Sequence, residues 1–159
     1  MKIIAAFILS LLCIQLYACN TDKTSKPIKN SNSITNADPM KLKITIGTNV
    51  FIATCYDNAT AKAFKKMLPM TINMTELNGD EKYYDLPEKL PTNASNLRTI
   101  ETGDLMLFGS NTLVLFYKQF SPSYSYTKVG RIENPSGLAS ALGSGNVTVT
   151  FEMELNTME

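Results

Sequence analysis

The stretch that most constrains the fold is Leu105–Tyr117, "LMLFGSNTLVLFY", two nearly continuous apolar runs joined by Gly109-Ser110-Asn111. A sheet that is wet on one face alternates apolar and polar residues with a period of two. Here both parities are apolar. Both faces of the hairpin must therefore be covered, either in strands packed on two sides or in the wall of a closed barrel wrapped from outside.

The other segments alternate more conventionally. Lys41–Ile46 places Leu42, Ile44 and Ile46 on one face, and a turn at Gly47-Thr48-Asn49 returns the chain through Val50–Tyr56, which predicts a hairpin. Asp57 and Asn58 offer N-cap side chains. Ala59, Ala63, Phe64, Met67 and Leu68 then form an apolar stripe at helical spacing, opposite Lys62, Lys65 and Lys66. Pro69 stops this helix because it disfavours helical geometry in the preceding residue. Met70, Ile72 and Met74 alternate as the core face of a strand, Leu77-Asn78-Gly79-Asp80 is turn chemistry, and Tyr83-Tyr84 lie on a short extended piece. Residues 92–104 read as a polar connection.

Beyond the central hairpin, "SYTKVGRIE" is a strand in which strict alternation puts Ser125, Val129 and Arg131 on one face. Gly137–Leu142 is a helical turn ended by Gly143-Ser144-Gly145, and Val147–Leu155 is a last strand with one buried face. The sum is about eight strands, one α-helix and a short helical turn. Closure removes the exposed edges of such a sheet. The expectation is a mainly β, closed barrel. Leu105–Tyr117 is its doubly covered wall, filled from inside and shielded outside by the helix or by a long loop.

The ends suggest export. Lys2 precedes an apolar run, Ile3–Leu16, too short for a spanning helix, which needs about 20 residues. Such a run suits the core of a signal peptide. Leu16-Tyr17-Ala18-Cys19 resembles a bacterial lipobox, with Tyr17 bulkier than usual. The resemblance implies cleavage before Cys19 and attachment of lipid to it. Expected organisation is a signal peptide over residues 1–18, a polar tether over 19–39 and one domain over 40–155. The expected location is the bacterial cell envelope, with the membrane as partner through the anchor.

Charge and cysteine content narrow the chemistry. The chain carries 15 basic and 14 acidic residues, and removing residues 1–18 takes away Lys2 alone. A balanced chain has no basic field for nucleic acid, and no nucleic-acid partner is expected. Cys55 is the single cysteine left once Cys13 and Cys19 are assigned to the leader and the anchor, so no intrachain disulfide is available. It sits at a strand end and reads as buried and inert. There is no histidine in the sequence, which removes histidine-based triads and metal sites; no metal and no cofactor are expected. Asp80, Glu81 and Asp85 lack the register of a calcium loop and read as a solvated turn.

What survives is an aromatic and basic set: Tyr83, Tyr84, Phe108, Phe120, Tyr124, Tyr126 and Arg131. Ligand grooves are mostly apolar with a few polar handles, and tyrosine supplies both. These residues are the candidate ligand groove.

The segments "ATAKAFKKMLPMTINMTELNGDEKYYDLPEKLPTNA", "GDLMLFGSNTLVLFYK" and "SYSYTKVGRIENPSGLASALGSGNVTVTFE" resemble bacterial cyclophilin-like fold proteins. The resemblance runs from about Lys41 to Glu154 and implies a cyclophilin-like closed β-barrel. For true cyclophilins, the prolyl isomerases, it implies an arginine near the substrate carbonyl, an aromatic proline pocket, and a glutamine, a tryptophan and a histidine. This chain has neither tryptophan nor histidine, and no catalytic residue carries over. Two functions remain open. One is a non-catalytic module binding a peptide or small ligand. The other is a divergent prolyl isomerase with Arg131 or Arg98 as electrostatic donor.

Overall fold

A computed structural model describes residues 39–155. The lipobox, Cys19 and nearly all of the tether lie outside the described residues. Nine strands and two helices follow one another. The strands are β1 (Lys41–Ile46), β2 (Asn49–Cys55), β3 (Met70–Leu77), β4 (Glu81–Asp85), β5 (Ser95–Asn96), β6 (Asp104–Phe108), β7 (Thr112–Phe116), β8 (Ser125–Ile132) and β9 (Val147–Met153). Helix α1 (Ala59–Lys65) follows β2, and α2 (Leu138–Leu142) precedes β9.

Eight of the strands form a ring in the order β2-β1-β9-β3-β4-β7-β6-β8, and β8 pairs back onto β2 to close it. Every pairing is antiparallel. The two-residue β5 pairs with the start of β8, at Ser125 and Tyr126. The closing seam pairs Ala53 with Ile132, Thr54 with Arg131 and Cys55 with Gly130. Gly130 suits this seam because a Cβ there would stand 3.1 Å from the Thr54 carbonyl oxygen.

The central hairpin is explained by two separate apolar clusters. Leu105, Leu107, Leu113 and Leu115 point into the barrel with Leu42, Ile44 and other alternating strand residues. Met106, Val114 and Phe116 point outward into a second cluster with Ile100 and Tyr126. The cover on that outer face comes from two loops, through Leu97 and Ile100 before β6 and Phe120 between β7 and β8. Helix α1 instead sends Phe64 into the barrel core, edge-on to Phe151 with ring centroids 5.8 Å apart. The connection read as polar thus carries the fully buried Ile100, which bridges to Phe120.

The elements start and stop for local reasons. Asn58 caps α1 by accepting a hydrogen bond from the Ala61 N–H at 2.8 Å. The buried face of the helix is Thr60, Ala61 and Phe64, while Ala59 is exposed, so the stripe is rotated from the expected one. The cause is polar: Thr60 donates its hydroxyl to the Pro91 carbonyl at 2.6 Å, which lets a threonine take an inward position. Strand β9 ends at Met153, and Leu155, expected on the buried face, is 85% exposed.

One inward position is filled against the apolar rule. Lys82 pairs across the ladder with Leu115 and is fully buried. Its ammonium donates to the Glu76 carboxylate, to the Gly143 carbonyl at 2.8 Å and to the Gly145 carbonyl at 2.7 Å. Tyr117 donates its hydroxyl to both Glu76 oxygens, at 2.9 and 2.8 Å, and the Gly79 N–H adds a third donor at 2.7 Å. The network ties the β3–β4 hairpin to the loop between α2 and β9. Burial alone would raise the Glu76 carboxyl, but the hydrogen bonds from Lys82, Tyr117 and Gly79 and the lysine charge outweigh it and hold the group below its ordinary range.

Candidate functional site: an aromatic cleft in the barrel wall

The outer face of β4, β7, β6 and β8 is a continuous platform. Cross-strand partners share a face in a sheet. One row runs Asp85, Thr112, Phe108, Tyr126, and the next begins Tyr83, Val114, Met106. Above this platform lies a cleft of about 270 Å³, lined by Tyr83, Phe108, Tyr124 and Tyr126 around Val114, with Glu81 and Asp85 among its polar members. The rings pack against one another. Phe108 stands 5.6 Å from Tyr124 and 5.7 Å from Tyr126, and Tyr126 meets Phe116 edge-on at 5.4 Å.

Four of the seven sequence-predicted groove residues therefore meet in one place: Tyr83, Phe108, Tyr124 and Tyr126. The other three lie elsewhere. Tyr84 has the opposite parity and packs against the interior cluster. Phe120 serves the outer cluster as cover, 5.5 Å from Phe116. Arg131 sits at the far end of β8 from Tyr126, half exposed, with its Nε 3.7 Å from Asp104. The strict alternation expected for β8 fails because Leu105 pairs with Gly130 while Met106 pairs with Lys128, leaving Val129 as a bulge. A bulge inserts one residue and flips the parity beyond it, so Val129 is in the core and Arg131 is outside.

The sequence reading missed Glu81 and Asp85. They belong to the strand β4, four residues apart on its outward face, rather than to a solvated turn. Their spacing of i and i+4 around Tyr83 was the available signal, masked by the turn residues before them. Asp85 accepts the Thr112 hydroxyl at 2.6 Å. Burial, then the charges of Asp80 and Glu76, push the Glu81 carboxyl up to about 7. Burial followed by the Glu81 charge pushes the Tyr126 phenol up to about 12, so it stays a neutral hydroxyl.

Two other places hold chemically capable groups and do not make sites. Lys82 has three ammonium protons and three acceptors, so it has nothing left to offer a ligand. Cys55 lies beneath a larger cleft with Tyr56, Lys62 and Lys65 on its walls. Burial pushes its thiol up to about 11, and the thiol rather than the thiolate prevails at neutral pH. The burial of Cys55 is as expected. Among the described residues no group of three or more acidic or cysteine side chains is placed to hold a metal.

The fold and the cleft define a class, a small closed antiparallel β-barrel with an aromatic recess in its outer wall. The sequence profile of the cyclophilin-like family matches residues 44–152, and the chain belongs to that family. Among solved structures, it is similar to the solution structure of the hypothetical protein AF2241 from Archaeoglobus fulgidus. The two share 19% identity and a TM-score of 0.52, over 73% of this chain and 95% of the other. At that identity the likeness speaks for the barrel alone. A comparison with curated proteins gives no match.

Proposed function

We propose that this chain is a non-catalytic binding module, held at a membrane by lipid on Cys19, that takes a peptide or small ligand in the aromatic cleft. One observation carries the reading. Five large apolar side chains are exposed among the described residues, and three of them, Leu77, Phe108 and Tyr124, border this single cleft. Isolated exposed apolar residues are ordinary, whereas a contiguous set with polar groups at its rim marks an interaction site. The rival reading, a divergent prolyl isomerase, lacks support at the same place: neither Arg131 nor Arg98 lines the cleft.

The cleft is tested by a thermal-shift ligand screen of the domain beside a Phe108→Ser, Tyr124→Ser variant. Both side chains are substantially exposed, at 41% and 64%, so the variant is expected to fold. A native-state ligand at about 100 times its Kd stabilises by about 2.7 kcal/mol, and the variant is expected to lose that shift. Hits that stabilise both proteins equally would place the site elsewhere. The anchor rests on Leu16-Tyr17-Ala18-Cys19, and its test is metabolic labelling with a fatty acid. Cys19→Ala is expected to abolish the label; an unlabelled wild type would refute the anchor.

A further inference from the structure

The cleft has an apolar floor, an acidic rim and no basic residue on its walls. Glu81 is hemmed in by charges of its own sign. Asp80 in the β3–β4 turn and Glu76 on β3 both raise its proton affinity. The nearby cations are engaged already, Lys118 with Asp80 at 3.6 Å and Lys82 with Glu76. The phenols of Tyr117 and Tyr126 are neutral across the physiological range, and Tyr83 and Tyr124 add two more hydroxyl-bearing rings to the lining. Asp85, at the other end of β4, is occupied by the Thr112 hydroxyl. Glu81 is thus the carboxyl of the cleft that lacks a compensating group.

Size and shape argue for a side chain on a larger body. A volume of about 270 Å³ lies just under the range of about 300–1,000 Å³ usual for whole small-molecule ligands. Leu77, Phe108 and Tyr124 line the cleft and stay exposed, so they also offer apolar surface to chain that flanks an inserted group. Tyrosine and phenylalanine faces attract cations through the ring quadrupole, most strongly where water is excluded.

From this geometry we infer that the cleft receives the lysine or arginine side chain of a peptide. The alkyl stem lies on Tyr83 and Val114, the charged head is directed to Glu81, and the flanking backbone rests on Phe108 and Tyr124. The inference rests on the binding-module reading and adds the chemistry of its ligand. Glu81 must be ionised to attract the head, and its carboxyl titrates near 7. Attraction is therefore present above that pH and lost as pH falls through it.

The test uses the purified full-length chain in detergent and capped Ala-Xaa-Ala peptides, with Xaa lysine, arginine, norleucine or glutamate, followed by ligand-observed NMR titration. At about pH 8 the lysine and arginine peptides are expected to bind about tenfold tighter than the norleucine peptide, the scale of a desolvated cation–π contact plus one charge. At about pH 5 the preference is expected to fall below about threefold, because the carboxyl is protonated. Glu81→Gln is expected to show the low preference at both pH values, and Asp57→Asn, at an exposed carboxylate outside the cleft, to keep the wild-type pattern. Equal binding of the lysine and norleucine peptides at the higher pH would overturn the cationic ligand while leaving a binding cleft in place. A lysine preference that survives Glu81→Gln would overturn the role of Glu81. Binding of n-butylammonium as tight as the lysine peptide would overturn the peptide as its source. Failure of every peptide in a chain that still gives cleft-dependent thermal-shift hits would overturn this inference alone; failure of both would overturn the binding-module reading as well.

Discussion

Glu76→Ala is expected to destabilise the domain by about 3–5 kcal/mol, the usual cost of stripping one partner from a buried ion pair. The loss is large because the stranded partner, Lys82, is fully buried and keeps only the Gly143 and Gly145 carbonyls. In a domain of this size that corresponds to roughly 10–20 °C in Tm. Lys82→Met is expected to cost less, about 1–3 kcal/mol, since it removes the buried charge, leaves two carbonyls without a donor and leaves the partly exposed Glu76 carboxylate with the Tyr117 and Gly79 donors. The order of the two variants is the informative result in urea or thermal unfolding. The pH dependence has a definite sign. The Glu76 carboxyl is held below its ordinary 4.5, so its contribution is present above that value and is lost as pH falls through the depressed native value. The gap between wild type and Glu76→Ala should therefore narrow in acid. Equal stability of wild type and Glu76→Ala at neutral pH would show that the network contributes nothing net.

Residues 39–159 expressed alone are expected to leave prolyl isomerisation at its uncatalysed pace, tens to hundreds of seconds for a model peptide. The barrier of about 18–20 kcal/mol falls only if the amide resonance is weakened. That takes a donor aimed at the bond from a dry, preorganised position. The aromatic cleft has rings but no arginine, and Arg131 faces outward beside Asp104 at the other end of β8. A protease-coupled assay with an Arg131→Ala control decides the matter. Strong acceleration that disappears in the control would replace the binding-module reading with an enzyme.

Much of the barrel was legible because its strands obey simple parity. Leu42, Ile44 and Ile46, or Ile72 and Met74, alternate as they do only because one side faces the core. The two-sided apolar hairpin announced a second cluster, and that cluster exists around Met106, Val114 and Phe116. What parity could not convey was every place where a polar contact or an extra residue changes the count. Thr60 is inward because a carbonyl meets it, and Lys82 is inward because three acceptors meet it. Val129 and Arg131 part company because of a bulge set by pairing with β6.

The cleft was half legible for the same reason. Aromatic residues at Tyr83, Phe108, Tyr124 and Tyr126 are visible in the sequence. Their convergence depends on the ring order, which places β4 beside β7 and β6 beside β8. Glu81 and Asp85 acquire meaning only once Tyr83 is known to face outward between them.

The claim at the centre is that the barrel wall at β4, β7, β6 and β8 is where this chain meets its ligand. Its most direct test is an NMR titration of the isotope-labelled domain with the best hit of the ligand screen. Backbone and ring shifts are predicted to concentrate at Tyr83, Phe108, Tyr124 and Tyr126, with Tyr56 and Lys62 at the cleft over Cys55 unmoved. Shifts centred on Tyr56 and Lys62, or confined to Arg131 and Asp104, would contradict it.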